Sequence, residues 1–356
     1  MVITHKVGRW KVLRNIASGP FSDVFIVADE ENNKAKYAMK CEKLEGNQRP
    51  VLKLDVMVLM AVKGSVGFPL FIAAGRTNTY RYCVMQLVGP DLGKLRRSLL
   101  IPFRFSVPTA LRVLQQTLRR LEVLHDAGWL CRDVKAPNFA IGLGNESGVI
   151  YMLDFGFARK YKEANGEIIP PREAAALLGT FQYTSLASHG HRDQAPKDDL
   201  ESWFYMAAEL LKGPLPWSKI DGHKEHHIIA AKKMYIRAEG RADFIEGMPP
   251  EFNIILSMID DMGLYFSAVM DSPGGRKLCE HHHTVTITFF WCNAGFAKTL
   301  GLSSLSTHCA DRRLLSYIIH FSSQVTMRSR NGFVSFRRSS ADEISYRRFL
   351  CSSDSS

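Results

Sequence analysis

Long apolar runs are missing from this 356-residue sequence. The longest, Ile287 to Phe296, is too short to cross a bilayer and Lys298 follows it, so no membrane partner is expected. The opening residues, Met1-Val2-Ile3-Thr4-His5-Lys6, hold no apolar core of signal-peptide length. The seven cysteines are odd in number, scattered, and include no Cys-x-x-Cys pair. That argues against a disulfide framework and for a reducing compartment, cytosolic or nuclear. Acidic residues run short, 35 Asp and Glu against 46 Lys and Arg, for a net charge of +11. Such a balance points to acidic partners, among them acidic peptides and cytoskeletal surfaces, and gives only a weak case for nucleic acid. No internal repeat is found. With 46% hydrophobic and 23% charged residues, wholesale disorder is excluded, and the length suits one large two-lobed domain or two ordinary ones.

The first part of the chain alternates in the manner of strands, at Trp10 to Ile16, Asp23 to Ala28 and Lys36 to Cys41, with a polar turn from Asp29 to Asn33. Residues 51–62 fit a helix that is apolar nearly all round, and so buried. Tyr82 to Leu87 reads as a buried strand running into Gly89-Pro90. From Pro108 to Ala127 the period is helical, with Leu111, Leu114, Leu118, Leu121 and Leu124 on one stripe. Asp199 to Leu211 and Glu251 to Met262 predict further helices. The whole predicts an α+β class, a small β-rich lobe joined to a larger α-helical lobe, with a hinge near Gln86 to Gly89.

Residues 130–138 read Leu-Cys-Arg-Asp-Val-Lys-Ala-Pro-Asn, and sixteen residues past Asn138 stands Asp154-Phe155-Gly156. In order, these supply a candidate base, a cation to face a phosphate, and oxygen ligands for a hard metal ion. Arg132-Asp133, Asn138 and Asp154-Phe155-Gly156 keep the spacing of the protein kinase catalytic loop and metal-binding turn, and the chain resembles that family. The loop departs from it at Cys131, where the family has a histidine; a small buried cysteine could buttress the loop equally well. Ile16-Ala17-Ser18-Gly19-Pro20-Phe21-Ser22-Asp23-Val24 stands in the place of the glycine-rich loop. Of three glycines only Gly19 remains, with Ala17 and Ser22 in the outer places. Lys40 follows 21 residues later, within Tyr37-Ala38-Met39-Lys40.

The resemblance implies a bilobal kinase fold, ATP and Mg²⁺ as cofactors, and protein substrates. It assigns ATP contacts to Ile16, Ala17, Ser18, Gly19, Val24, Ala38, Lys40, Met85, Gln86 and Leu87. It places Asp55 as the helix partner of Lys40, one methylene shorter than the usual glutamate, which requires the helix to stand close. Asp133 and Lys135 take the catalytic roles, and Asn138 and Asp154 the metal. Gly179-Thr180-Phe181-Gln182-Tyr183-Thr184-Ser185-Leu186-Ala187-Ser188-His189 and Asp198-Asp199-Leu200-Glu201-Ser202 are similar to the casein kinase I group, where Asp199 would anchor the catalytic loop. Gly8-Arg9-Trp10-Lys11-Val12, Met85-Gln86-Leu87 with Leu95-Arg96-Arg97, and Leu215-Pro216-Trp217 resemble its tau-tubulin kinase branch. The likeness runs from about Val7 to Phe266, and the implied domain is 7–270, with lobes at about 7–86 and 90–270.

Several features depart from the group. Gln182 stands where an arginine often holds a substrate phosphate, leaving Lys232 and Lys233 to attract acidic residues. Lys94 replaces a ribose-binding carboxylate, with Asp91 one turn earlier. No Ser or Thr lies between Arg159 and Gly179, so a phosphoswitch there has little to act on. Ala17, Ser22, Asp55 and Cys131 support an alternative, a pseudokinase scaffold; the full set Lys40, Asp133, Lys135, Asn138 and Asp154 opposes it. Residues 271–356 form a basic, Ser-rich tail, expected to be disordered in part. Within it Leu314 to Phe321 could cover Ile255, Met258, Ile259 and Met262, which would otherwise lie partly exposed. Cys279, His281, His282, His283, Cys292, His308 and Cys309 match no zinc spacing.

Overall fold

A computed structural model describes residues 6–45, 51–99 and 103–270. Its first half is a curled sheet. Strands β1 (Lys6–Val7), β2 (Trp10–Ser18), β3 (Asp23–Asp29) and β4 (Lys36–Lys43) lead into helix α1 (Leu52–Ala61), followed by β5 (Phe71–Arg76) and β6 (Tyr80–Gln86). The six strands are antiparallel in the order β1-β2-β3-β4-β6-β5. Side chains alternate across a strand. Phe25, Val27, Met39, Cys41 and Val84 accordingly build one apolar face with Trp10. The other face of β4 carries Ala38, Lys40 and Glu42, all buried. The tight turn after β3 places Asn33 and Lys34 at φ 45° and 56°, a conformation asparagine tolerates better than most residues.

Glu42 fixes α1. Its two carboxylate oxygens accept from the Val51 and Leu52 N–H groups, each at 3.1 Å, satisfying donors that a helix start leaves open. Lys40, two residues earlier on the same face, meets the same helix at Asp55. One strand therefore sets both the end and the distance of α1.

The second half is helical. It comprises α2 (Leu92–Ser98), α3 (Val107–Asp126), β7 (Trp129–Leu130), β8 (Phe139–Ile141), β9 (Ile150–Met152), β10 (Arg159–Lys160), α4 (Leu186–His189), α5 (Pro196–Lys212), α6 (Gly222–Tyr235), α7 (Arg241–Ile245) and α8 (Glu251–Met270). The predicted leucine stripe of α3 is buried along its whole length. Proline at its first turn and Ser106 before it mark its start. Gly67 (φ +82°) lets Arg120 of α3 pass; a Cβ there would lie 1.8 Å from the arginine Nε, which donates to the Ile150 carbonyl. β6 ends at Gln86, the Gly89 N–H donates to the Ile141 carbonyl, and Asp91 caps α2 by accepting from the Lys94 N–H.

Helix α5 is buried all round: Trp203, Phe204, Tyr205, Met206 and Ala207 are each fully enclosed. Its acidic residues are buried too: Asp198 accepts from the Ala195 N–H at the helix's own start, and the others reach neighbouring segments. Glu201 accepts from the Leu186 N–H and the Tyr205 hydroxyl and pairs with Arg237. Glu209 holds Arg96 and the Tyr183 hydroxyl. α8 packs against this helix, Phe252 lying parallel to Trp203 at 6.5 Å. Ile255, Ile259 and Met262 are buried and Met258 half-buried, all within the main core. The helix proposed at Leu314 to Phe321, and the Cys/His group of the tail, lie outside the described residues. Among the described residues no helix is long and apolar enough to cross a membrane.

Candidate active site

A row of paired residues crosses the sheet, Ala17 beside Val24, Val24 beside Lys40 and Lys40 beside Cys83, with Ala38 beside Met85. The register thus places Ala17, Val24, Ala38, Lys40 and Met85 together. Ile16 and Leu87 are half-buried nearby in sequence, whereas Ala17, Ser18 and Gly19 are exposed at the hairpin tip. Gly19 closes that tip by donating to the Ser22 carbonyl at 2.9 Å, and Phe21 meets Phe157 edge-on at 6.1 Å. The Gln86 side chain turns away, donating to Glu146 at 2.9 Å and to the Tyr151 hydroxyl at 3.3 Å.

Lys40 lies between two carboxylates. Its ammonium donates to Asp55 at 2.7 Å and to Asp154 at 2.8 Å. Burial would push Lys40 down, but Asp55 and Asp154 outweigh it and hold its pKa above the ordinary lysine value. Burial likewise acts to raise Asp154, yet Lys40 and the Gly156 N–H bring it below the ordinary carboxylate value. The other Asp55 oxygen accepts from the Phe155 N–H at 2.8 Å. The shorter aspartate reaches its lysine, as the close helix requires, and ties α1 to the Asp-Phe-Gly turn as well. Phe155 is buried and stacks on Phe68 at 6.1 Å.

Asp133, 4% exposed, is held on three sides. The Thr180 hydroxyl donates to one oxygen at 2.8 Å; Lys135 pairs with the other at 2.7 Å, and the Asn138 amide donates to that oxygen at 3.1 Å and to the Asp133 carbonyl at 2.8 Å. Lys135 also donates to the Thr180 oxygen at 2.8 Å. The loop is hung from α5: one Asp199 oxygen accepts from the Arg132 N–H, the other from the Cys131 N–H and His125, all at 2.8 Å. Arg132 and Asp154 adopt φ 62° and 58°, strained for residues with side chains and frequent at functional sites. Cys131 is fully buried; burial and then the Asp199 charge hold its thiol well above the ordinary value, so it stays protonated and fills space.

Residues 10–260 match the protein kinase domain. The chain belongs to the protein kinase family. Over 295 residues the kinase is 61% identical to a Caenorhabditis elegans protein named serine/threonine-protein kinase spe-6, covering 80% of this chain and 76% of that one. Over 247 residues it is 38% identical to a Dictyostelium discoideum protein named as a probable serine/threonine-protein kinase, covering 69% of this chain and 48% of that one. The kinase thus spans about half the length of the second relative. The bilobal kinase fold is the one observed, and the kinase is an enzyme of that family.

Among the described residues of the kinase, no three His, Cys, Asp or Glu side chains come together to hold a metal. The donors available are the Asp154 carboxylate, its side chain 45% exposed, and the Asn138 amide oxygen. Two hard oxygen ligands fit an ion that takes its remaining ligands from phosphate and water, as Mg²⁺ does. The stretch without Ser or Thr before Gly179 is tied down by the kinase itself: Arg159 and Arg172 both pair with Asp193, at 3.0 and 2.9 Å.

Asp91 caps its own helix and pairs with Lys94 at 3.3 Å. One expectation from the sequence is corrected. Lys233, expected to attract acidic residues beside Lys232, is 0% exposed and points inward; only Lys232 is exposed. Beside Lys233 stands His189, which burial, and then the Lys233 and His226 charges, push down to about 4. Its folded pKa lies below the unfolded 6.5, so the unfolded chain binds the extra proton on acidification. Stability from this group is full above pH 6.5 and is lost as pH falls toward 4. Melting temperature should therefore fall more steeply over that window in the wild type than in His189→Gln; equal slopes would remove His189 from the acid response.

Proposed function

We propose that the kinase transfers the γ-phosphoryl group of ATP to Ser and Thr hydroxyls of proteins, with Asp133 receiving or orienting the acceptor proton. The observation that carries this reading is the Asp133 carboxylate, fixed by Lys135, Asn138 and Thr180 within one hydrogen-bonded set. Its Oδ1 already accepts from a threonine hydroxyl at 2.8 Å, which is the interaction an incoming Ser or Thr would make. Lys135 faces the transferring group, Lys40 the α- and β-phosphates, and Asn138 and Asp154 hold Mg²⁺. The metal, when bound, supplies neutralisation of phosphate charge. Ile16, Ala17, Ser18, Gly19, Val24, Ala38, Met85 and the Gln86–Leu87 backbone form the nucleotide's walls.

Within the family we place the chain in the casein kinase I group, on its tau-tubulin kinase branch, from the motifs around Gly179 and Asp198. Its protein substrates are acidic or cytoskeletal, met in the cytoplasm or nucleus, on the strength of the net charge of +11. The pseudokinase reading loses its grounds locally. Asp55 reaches Lys40 at 2.7 Å, and Cys131 fills its place without disturbing the Asp199 anchor. The test is transfer of labelled phosphate from ATP to acidic Ser, Thr and Tyr peptides, with and without Mg²⁺. Metal-dependent labelling of Ser and Thr peptides is expected; ATP binding with no transfer to any of them would restore the scaffold reading.

A further inference from the structure

The segment that starts at Thr180 is gripped from two sides. On one side the Thr180 hydroxyl lies on Asp133 and Lys135. On the other, three backbone carbonyls are taken by buried donors. Lys233 of α6 donates to the Phe181 carbonyl at 2.8 Å and the Thr184 carbonyl at 2.6 Å. Between them the Trp217 indole N–H donates to the Gln182 carbonyl at 2.8 Å. The third direction of the Lys233 ammonium faces His189 Nε2 at 3.2 Å, and its charge lies 4.8 Å from the centre of the Tyr205 ring and 5.7 Å from that of Trp217. Three N–H donors meet three acceptors, so nothing is left for a substrate.

Burying a lysine whose hydrogen-bond partners are all neutral is costly, and an apolar side chain would fill the same space more cheaply. What its hydrogen bonds secure is the path of residues 181–184. An acceptor residue that reaches Asp133 must carry its neighbours over the half-exposed chain beside it, which is Phe181 to Tyr183. We propose that Lys233 is a positioning residue for the protein substrate: it sets the backbone of residues 181–184, with Trp217, as the platform on which the polypeptide lies. This rests on the reading of Asp133 as the group that meets the acceptor hydroxyl. Lys233 acts through the segment and never touches substrate or nucleotide.

The experiment uses the full chain, with Lys233→Met and Trp217→Phe, a synthetic acidic Ser/Thr peptide, and separate KM values for peptide and ATP. Lys233→Met keeps much of the length and removes the hydrogen bonds to the Phe181 and Thr184 carbonyls, so peptide KM should rise roughly tenfold to a hundredfold. The KM for ATP should stay within about twofold, as should the thermal shift produced by Mg²⁺-ATP. Trp217→Phe removes one donor and keeps most of the ring, and should move peptide KM the same way by less. Equal rises in both KM values, tracking lost thermal stability, would make Lys233 a structural lysine only and overturn the proposal. An unchanged peptide KM in folded Lys233→Met would do the same; if that variant does not fold, an unchanged peptide KM in Trp217→Phe overturns it. A wild type that transfers nothing to the peptide would instead overturn the reading of Asp133.

Discussion

Replacing Asp133 with Asn should lower kcat by about 10²-fold or more while ATP affinity survives. In energy that is roughly 2.7 kcal/mol of lost transition-state stabilisation. The substitution keeps the size of the side chain and removes its charge. Lys135, now 2.7 Å from a carboxylate oxygen, would lose its anionic partner, and the acceptor hydroxyl would lose the only carboxylate that the Thr180 hydroxyl reaches in this set. Nucleotide affinity should be spared because Lys40, Asp55 and Asp154 form a separate cluster, bonded to one another and to the Phe155 N–H. Peptide phosphorylation and ATP-dependent thermal shift, measured on one preparation, separate the two effects. Full activity in Asp133→Asn would remove this carboxylate from the chemistry, and lost ATP binding would show that it holds nucleotide instead.

The parts of this site that were legible in sequence are those whose geometry is local. Asp133, Lys135 and Asn138 lie within one turn of chain, so their spacing already fixes that they face one another. Lys40 was legible from its place 21 residues after Gly19, and strand pairing carries it into the same row as Ala17 and Val24. The helices α3 and α5 announced themselves by apolar period and length. What stayed hidden depends on long-range contact. Glu42 looks like any polar residue of an exposed strand edge until α1 places its first N–H groups over it. Thr180 is 47 residues from Asp133, and nothing in its neighbours indicates that its hydroxyl lies on the carboxylate. Lys233 misled for a clear reason. Helix α6 reads His-Lys-Glu-His-His at its start and Lys-Lys near its end, so it carries no stripe that distinguishes its buried face. Only the carbonyls of residues 181 and 184, more than forty positions away, show which of the two lysines points inward.

Asp199→Asn should cost roughly 3 kcal/mol, because one side chain satisfies donors on two consecutive residues and a histidine from inside the protein. Its two oxygens accept from the Arg132 N–H, the Cys131 N–H and His125, each at 2.8 Å. An amide offers one oxygen in place of two, so at least one N–H must face an NH₂ group in a site that is 1% exposed. For a domain of this size the loss corresponds to a melting temperature lower by roughly 6–12 °C. Activity should fall as well, and by more than the destabilised fraction explains. Arg132 is held at φ 62°, a conformation worth leaving by about 1–3 kcal/mol once its anchor weakens. Because Arg132 immediately precedes Asp133, relaxation there turns the carboxylate away from Thr180 and Lys135. Calorimetry and kcat below the melting transition together check this. A variant that melts like the wild type and keeps its kcat would mean that α5 does not hold the catalytic loop through Asp199.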